Sequence, residues 1–240
     1  NAMLDRINTT LEKNTELTRE VYEAELLQKE AQMDALNSQI KPHFIHNTLN
    51  TIRLLIQSGQ QEKAVRTTQS LSIMMRKLAS QAGETTLGQE LELVESYLII
   101  QTGRYDDRIS YAIDIPKWLH DYMLPAFLIQ PLVENAIVHG CEPQSGRTRI
   151  AISHEIKGGA LLIHVRDTGR GIEPIALPQI QEPLAAVTTS SADHAIGLIN
   201  VNKRIGLRFG KGYGLILTST LGAETIATLR LPYPEGGSYV

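Results

Sequence analysis

The run Gln39-Ile40-Lys41-Pro42-His43-Phe44-Ile45-His46-Asn47-Thr48-Leu49-Asn50 holds an imidazole one residue after a proline. Proline lacks an N–H and its ring crowds the preceding turn, so it interrupts a helix and pushes the next residue out of a regular ridge. Histidine changes charge near neutrality, and a neutral ring nitrogen in such a place is a competent nucleophile. Asn47 lies one turn further on the same helix face, placed to hydrogen-bond whatever sits beside the ring. Taken alone, His43 also reads as a surface histidine of a helical bundle. His46 at i+3 completes a two-histidine pair, but no third metal ligand is evident.

Four further runs carry chemistry. Gln130-Pro131-Leu132-Val133-Glu134-Asn135-Ala136-Ile137-Val138-His139-Gly140 sets Asn135 and His139 four residues apart, on one face of a helix that Gly140 should end. A carboxamide oxygen suits magnesium, which keeps most of its waters and joins phosphates to few protein groups. A helix start with a solvated Glu-Asn pair explains the same residues. Asp167-Thr168-Gly169-Arg170-Gly171-Ile172 follows an apolar run, so a strand delivers an acid and two glycines into a turn. The carboxylate can accept an amino proton such as adenine's, and the glycines let backbone approach a ligand closely. A plain tight turn explains the glycines and leaves the aspartate idle. In Ile196-Gly197-Leu198-Ile199-Asn200-Val201-Asn202-Lys203-Arg204 a glycine opens a helix, whose free N–H groups and positive end suit phosphate oxygens. Gly222-Ala223-Glu224-Thr225 enters the last strand and offers another close approach and a hydroxyl.

These runs need elements to position them. Residues 1–40 contain neither proline nor glycine, and Tyr22, Leu26, Met33, Leu36 and Ile40 form one stripe, interrupted only by Lys29. That spacing fits a coiled-coil seam, and equally an amphipathic helix packed on its own domain. The pattern resumes through Phe44, Ile45, Leu49, Ile52, Leu55 and Ile56, stops at Ser58-Gly59, and returns over 61–82 with Val65, Leu71, Met74, Met75 and Leu78 before Gly83. Two helices joined by a short turn make a hairpin that cannot bury both apolar faces alone, so pairing with a second copy into a four-helix bundle is expected. Beyond it the spacing predicts a helix over 88–103, strands at 110–115, 149–156, 161–167, 214–220 and 225–231, and apolar helices at 126–139 and 198–209. Strands interleaved with helices argue an α/β layer. Residues 173–194, rich in Pro, Ala, Ser and Thr, read as a mobile lid.

Composition limits the classes. The chain has 240 residues, 42% hydrophobic and 20% charged, as in a soluble globular protein. Its net charge of −3 argues against a nucleic-acid surface or a polybasic membrane arm. The single cysteine, Cys141, cannot form an internal disulfide, which fits a reducing compartment. No apolar run approaches the ~18 residues of a membrane span. Asn1-Ala2 ahead of Met3 reads as a cloning scar, so the chain is expected to be an excised fragment with membrane segments left out upstream.

Taken in order, the five runs resemble the H, N, G1, G2 and G3 boxes of sensor histidine kinases. Pro42-His43-Phe44-Ile45-x-Asn47-Thr48-Leu49-Asn50 and Gln130-Pro131-Leu132-Val133-Glu134-Asn135-Ala136-Ile137-x-His139-Gly140 resemble the LytS/YesM-type subfamily, as does Tyr97-Leu98-x-Ile100-Gln101-x-x-Arg104-Tyr105. The resemblance covers roughly residues 39–232. It implies an α-helical hairpin, dimerised into a four-helix bundle, followed by an α/β sandwich ATPase domain of Bergerat type, a mixed sheet covered by helices. Residues 1–38 would be a signalling coiled-coil helix, 39–83 the dimerisation and histidine phosphotransfer domain, and 84–240 the catalytic domain of the gyrase, chaperone, kinase and MutL superfamily.

The resemblance further implies ATP and Mg²⁺ as cofactors, with His43 the phospho-acceptor and Asn47 and Glu134 beside it in the catalytic set. Asn135 would hold magnesium and Asp167 would read adenine. Gly169, Gly171, Gly197 and Leu198 would border the nucleotide and its lid, with His139, Arg204 and Thr225 completing the nucleotide-binding residues. The implied partners are a second copy and the receiver domain of a response regulator, without nucleic acid. The implied setting is the cytoplasmic part of a protein anchored upstream in a bacterial inner membrane. The sequence departs from the family pattern in several places: Phe44 stands where many members have an acid, Pro131 where others have an earlier asparagine, His46 where an apolar residue is common, Ala195 where a glycine often sits, and Glu224 at the second G3 glycine. Two alternatives stay open: a degenerate kinase acting as a dimeric nucleotide-binding scaffold, and a serine kinase or chaperone-type ATPase, in which the Pro42-His43 hairpin would have no role.

Overall fold

The computed structural model describes residues 42–80, 83–105, 108–141, 146–178, 180–181 and 196–233. The amphipathic stripe expected over residues 22–40 lies outside them. The chain divides into two units, 1–47 and 48–240. Helix α1, Pro42–Gln57, begins in the first and continues into the second. Pro42 opens this helix, a position where its missing N–H leaves no bond unmade and its fixed φ is already helical. The bend expected between Pro42 and the residues before it lies outside the described residues.

Helix α1 ends where the pattern stops. Gly59 takes φ +75°, and the Gln60 N–H bonds back to the Leu55 carbonyl at 2.8 Å, closing the last turn. Helix α2, Gln61–Ser80, returns with Ala64, Met74 and Leu78 buried. Helix α3, Leu87–Tyr105, buries residues on much of its circumference, with Leu87, Leu93, Val94 and Leu98 fully buried. It crosses its neighbours at Gly103, where an added methyl would lie 3.1 Å from Thr67 Oγ1 and 3.7 Å from Leu55 Cδ1.

The remaining chain forms a five-stranded mixed sheet in the order β2-β4-β5-β7-β6, from β2 Ile109–Asp114, β4 Thr148–Lys157, β5 Ala160–Asp167, β6 Gly214–Thr220 and β7 Glu224–Pro232. β2 and β4 run parallel and the other neighbours antiparallel. Alternation sends Ile150, Ile152, Ile163, Val165, Leu217 and Leu229 into the buried layer. Helix α3 rests on β2, helix α5 (Ile196–Phe209) rests on β6 and β7, and helix α4 (Gln130–Asn135) packs against both helices. This is the two-layer α/β arrangement expected, with strand bounds within a residue or two of the sequence reading. No helix among the described residues is long and apolar enough to cross a membrane.

Three expectations need correction. The apolar helix over 126–139 starts only at Gln130, because Phe127 has φ +60°, a left-handed conformation that no helix accommodates. Gly140 does not end it: residues Ala136–Cys141 continue as one turn of wider π-helix that runs through the glycine. A two-stranded antiparallel ladder, β1 Glu84–Thr86 with β3 Met123–Pro125, adds to the expected strands, since three-residue strands are too short to show a period. Of the lid expected over 173–194, residues 173–178 begin with a turn closed by the Ala176 N–H on the Glu173 carbonyl at 2.9 Å, and 182–194 lie outside the described residues.

Ile163 sits on the central strand with no exposed surface. Truncation there leaves a cavity that a rigid sheet cannot collapse, so Ile163→Ala is expected to lower unfolding free energy by about 2–5 kcal/mol in urea titration. Removing the partly exposed Arg166–Glu224 ion pair by Arg166→Ala should shift it by less than about 1 kcal/mol.

Candidate functional site

Two chemically distinct places emerge. In the first unit, the His43 side chain is exposed on the opening turn of α1. The Asn47 amide, one turn on, lies 3.3 Å from Nδ1 and 3.2 Å from Nε2, so its N–H can donate to either ring nitrogen and singles out neither. The i, i+4 relation read from sequence therefore holds, and the imidazole is both accessible and steered. His46 is exposed as well. Among the described residues no cluster of three or more His, Cys, Asp or Glu is placed to hold a metal ion.

The second place is the end of the central strand. Asp167 closes β5 with 4% of its surface exposed, and its Oδ1 accepts the Gly169 N–H at 2.9 Å. Burial pushes its carboxyl up to about 6; the Gly169 bond works against that rise and the charge of Glu224 adds to it. Two glycines make room for the carboxylate. A methyl at Gly140 would come within 2.5 Å of Oδ1, and one at Gly169 would overlap the Gly140 Cα. The sequence suggests a helix stop at Gly140; its observed work is to let the π-turn approach Asp167.

The turn after Asp167 is anchored on both sides. The Thr168 N–H bonds to the Arg149 carbonyl at 3.1 Å and the Thr168 hydroxyl accepts the Arg149 N–H at 2.9 Å. Gly171 has φ +70°, and a methyl there would overlap the Thr220 carbonyl and lie 2.8 Å from Leu221 Cα. Thr225, opposite Asp167 in the β5–β7 register, shares a 2.9 Å hydroxyl bond with Ser219, whose oxygen accepts the Ile172 N–H at 2.8 Å. Ser219 escapes sequence reasoning, because nothing local marks a strand serine as the hub of a turn 47 residues away in sequence.

Helix α4 brings the second run to this end of the sheet. Glu134 accepts a bond from the Gln130 amide at 3.1 Å. The Asn135 Nδ2 is buried without a hydrogen-bond partner among the described residues, and His139 is half-buried. The α4 N-terminus is held by Glu90 of α3, which in sequence looks like an ordinary helix glutamate. Its one local signal is an acid set close among the apolar residues of its helix. On α5, Leu198 is buried, and Gly197 is exposed, with no described atom within 4 Å of where an added methyl would sit. The Arg204 Nη1 donates to the Ala126 carbonyl at 2.8 Å. A groove of about 630 Å³ between α5 and β6, bordered by Lys203, Lys211, Tyr213 and Arg230, contains none of the site residues singled out from sequence.

The donor set fits a nucleotide. Asp167 presents a buried carboxylate with one backbone bond and a second oxygen free to accept an amino proton. Asn135 is half-buried, and its Nδ2 has no hydrogen-bond partner among the described residues.

Residues 31–109 match the histidine kinase family, and residues 121–235 match the family described as histidine kinase-, DNA gyrase B-, and HSP90-like ATPases. The chain is 32% identical over 231 residues to sensor histidine kinase YesM of Bacillus subtilis (strain 168), covering 96% of this chain and 37% of that protein. It is 35% identical over 207 residues to sensor histidine kinase BtsS of Escherichia coli (strain K12), covering 86% and 34%. It is 33% identical over 220 residues to sensor protein LytS of Staphylococcus epidermidis (strain ATCC 12228), covering 91% and 36%. The chain spans about a third of the length of these curated relatives.

Because the Asp167 carboxyl is raised from 3.8 to about 6, folding favours its protonated form: that contribution is full below pH 4 and is lost as pH rises through 6. Asp167→Asn cannot ionise. The stability of the variant relative to the parent is therefore expected to grow by up to about 3 kcal/mol between pH 4 and pH 8, read from paired thermal or urea unfolding without nucleotide. A difference flat across that range would contradict the assignment.

Proposed function

The chain belongs to the sensor histidine kinase family, and from that premise we propose that it binds ATP with Mg²⁺, transfers the γ-phosphoryl group to its own His43, and passes it to an aspartate of a response-regulator receiver domain. The observation that supports this most directly is the exposed imidazole of His43, opened by Pro42 and bracketed by Asn47. A ring nitrogen would attack the γ-phosphorus in line while ADP leaves, a reaction that depends on positioning and on neutralised phosphate charge. When bound, Mg²⁺ would supply that neutralisation from Asn135. Asp167 would hold the adenine amino group, with Gly169, Gly171 and Thr225 shaping its turn and Gly197, Leu198, His139 and Arg204 completing the nucleotide surroundings. With Phe44 in place of an acid beside it, the imidazole would be oriented by Asn47, Glu134 or water.

On this reading residues 39–83 are the dimerisation and phosphotransfer hairpin, 84–240 the catalytic domain, and 1–38 the helix that delivers the signal. Leu49, Leu54, Ile56 and Val65 remain half-exposed on α1 and α2, an apolar surface that a second copy would cover in a four-helix bundle. The complete protein would be a bacterial inner-membrane sensor with this part in the cytoplasm. One feature favours a second reading, a scaffold that binds nucleotide without phosphorylating itself: the missing acid after His43. ATP binding with no acid-labile phosphate would select it.

Incubation with γ-labelled ATP and magnesium is expected to give acid-labile, base-stable label on the parent and none on His43→Gln. Asn47→Ala should slow labelling by about 10–100-fold, as a misplaced nucleophile does, with ATP affinity unchanged. Label persisting on His43→Gln would overturn the assignment.

A further inference from the structure

Glu90 has no exposed surface, and its carboxylate accepts three consecutive backbone N–H bonds, from Phe127 at 2.6 Å, Leu128 at 3.0 Å and Ile129 at 3.1 Å. These successive amides converge around a left-handed residue, Phe127 at φ +60°. Such a concavity is an anion site in its own right. Here the acceptor oxygens come from the protein itself, carried on α3. From the opposite side Arg204 of α5 donates to the Ala126 carbonyl at 2.8 Å and lays its guanidinium 5.9 Å from the Phe127 ring centre. Residues 126–129 are thus gripped by an acid from one helix and a base from another, with amides turned to the first and a carbonyl to the second. The turn leads straight into α4, whose side chains include Gln130, Glu134 and Asn135.

We propose that Glu90 is a positioning residue for magnesium-nucleotide handling: from α3 it fixes the left-handed turn at 127–129 and so sets where α4 presents Glu134 and Asn135. It touches no reacting atom. The inference rests on the reading of Asn135 as the magnesium-side residue given above. Three observations go beyond simple helix capping. A capping side chain ordinarily comes from the residue just before the helix, whereas Glu90 reaches across from 37 to 39 residues earlier in sequence. The turn it holds is strained, and a bulky residue stays at positive φ only where its surroundings over-determine it. Finally, α3 packs along α2 of the hairpin as well as against α4, so the carboxylate joins the α2-bearing side of the unit to the nucleotide-facing helix.

Glu90→Gln keeps the size of the side chain, removes one acceptor oxygen and turns an N–H₂ toward donors that already point inward. Hydrogen exchange without nucleotide is expected to speed by at least about tenfold at the amides of residues 127–129 while β5 and β7 amides keep their protection. ATP dissociation constants measured with magnesium and with EDTA should separate. The enhancement given by magnesium falls by about 10–100-fold, the range for residues that support a metal ligand, while the EDTA value, governed by Asp167, stays within about twofold. If Glu90→Gln does not fold, Glu90→Asp shortens the reach to the same three amides and should give the same split. Unchanged exchange at 127–129, or affinities that fall equally with and without magnesium, would overturn the inference. A parent that binds no ATP under either condition removes the proposed function and this inference together; a binding parent whose variants keep the full magnesium enhancement removes this inference alone.

Discussion

Water solvates a carboxylate through several strong hydrogen bonds, and burial without replacements for them is costly. Among the described residues two carboxylic side chains are buried, Glu90 and Asp167; burial raises both carboxyls, and the fold gives them different numbers of donors. Glu90 receives three backbone N–H groups and the favourable charge of Arg204, which work against the rise that burial imposes on its carboxyl without cancelling it. Asp167 receives one N–H and faces the like charge of Glu224. A satisfied buried acid supports structure. A half-satisfied one at the end of a central strand has room for a donor that the described residues do not provide, and perturbed acids of that kind concentrate at functional sites. Much of the layer above the sheet follows from placing these two groups, one under the start of α4 and one beside its end.

Glycines sort by the same logic. Gly140, Gly169 and Gly171 each have protein atoms where a side chain would begin, so the close approach they permit is between parts of the fold. The first two admit the Asp167 carboxylate, and the third lets the turn after it lie on the β6–β7 connection. Gly197 has open space in the same test among the described residues. Motif glycines that look alike in sequence therefore differ: Gly140, Gly169 and Gly171 are crowded by the fold, and Gly197 has open space among the described residues.

The strands and amphipathic helices were legible because burial repeats with the period of the element, and Ile150, Ile152, Val165 and Leu229 fall where alternation put them. The His43–Asn47 contact was legible because it is local to one helical turn. What escaped was set by partners distant in sequence. Residues 126–139 read as a single apolar helix, yet the first four are diverted by a carboxylate from α3, and no window around Phe127 contains that information. Glu90 itself looks like any helix glutamate until α4 covers it. The β1–β3 ladder and the π-turn through Gly140 likewise depend on tertiary neighbours, and local propensity is a weak prior against those.

Glu224 is the departure with the largest electrostatic consequence, since it places a carboxylate where the family pattern has a glycine, beside the acid that would read adenine. The fold answers it locally. Arg166, one residue before Asp167 on β5, reaches Glu224 at 2.5 Å. That pair is too exposed to add much stability. The Glu224 charge still adds to the rise of the Asp167 carboxyl with that pair in place. With its carboxyl at about 6, Asp167 is still predominantly ionised at neutral pH, which an acceptor for an amino proton requires. Arg166 and Glu224 thus form a pair on the strands that flank Asp167 and Thr225, and the acid adds its charge to the site.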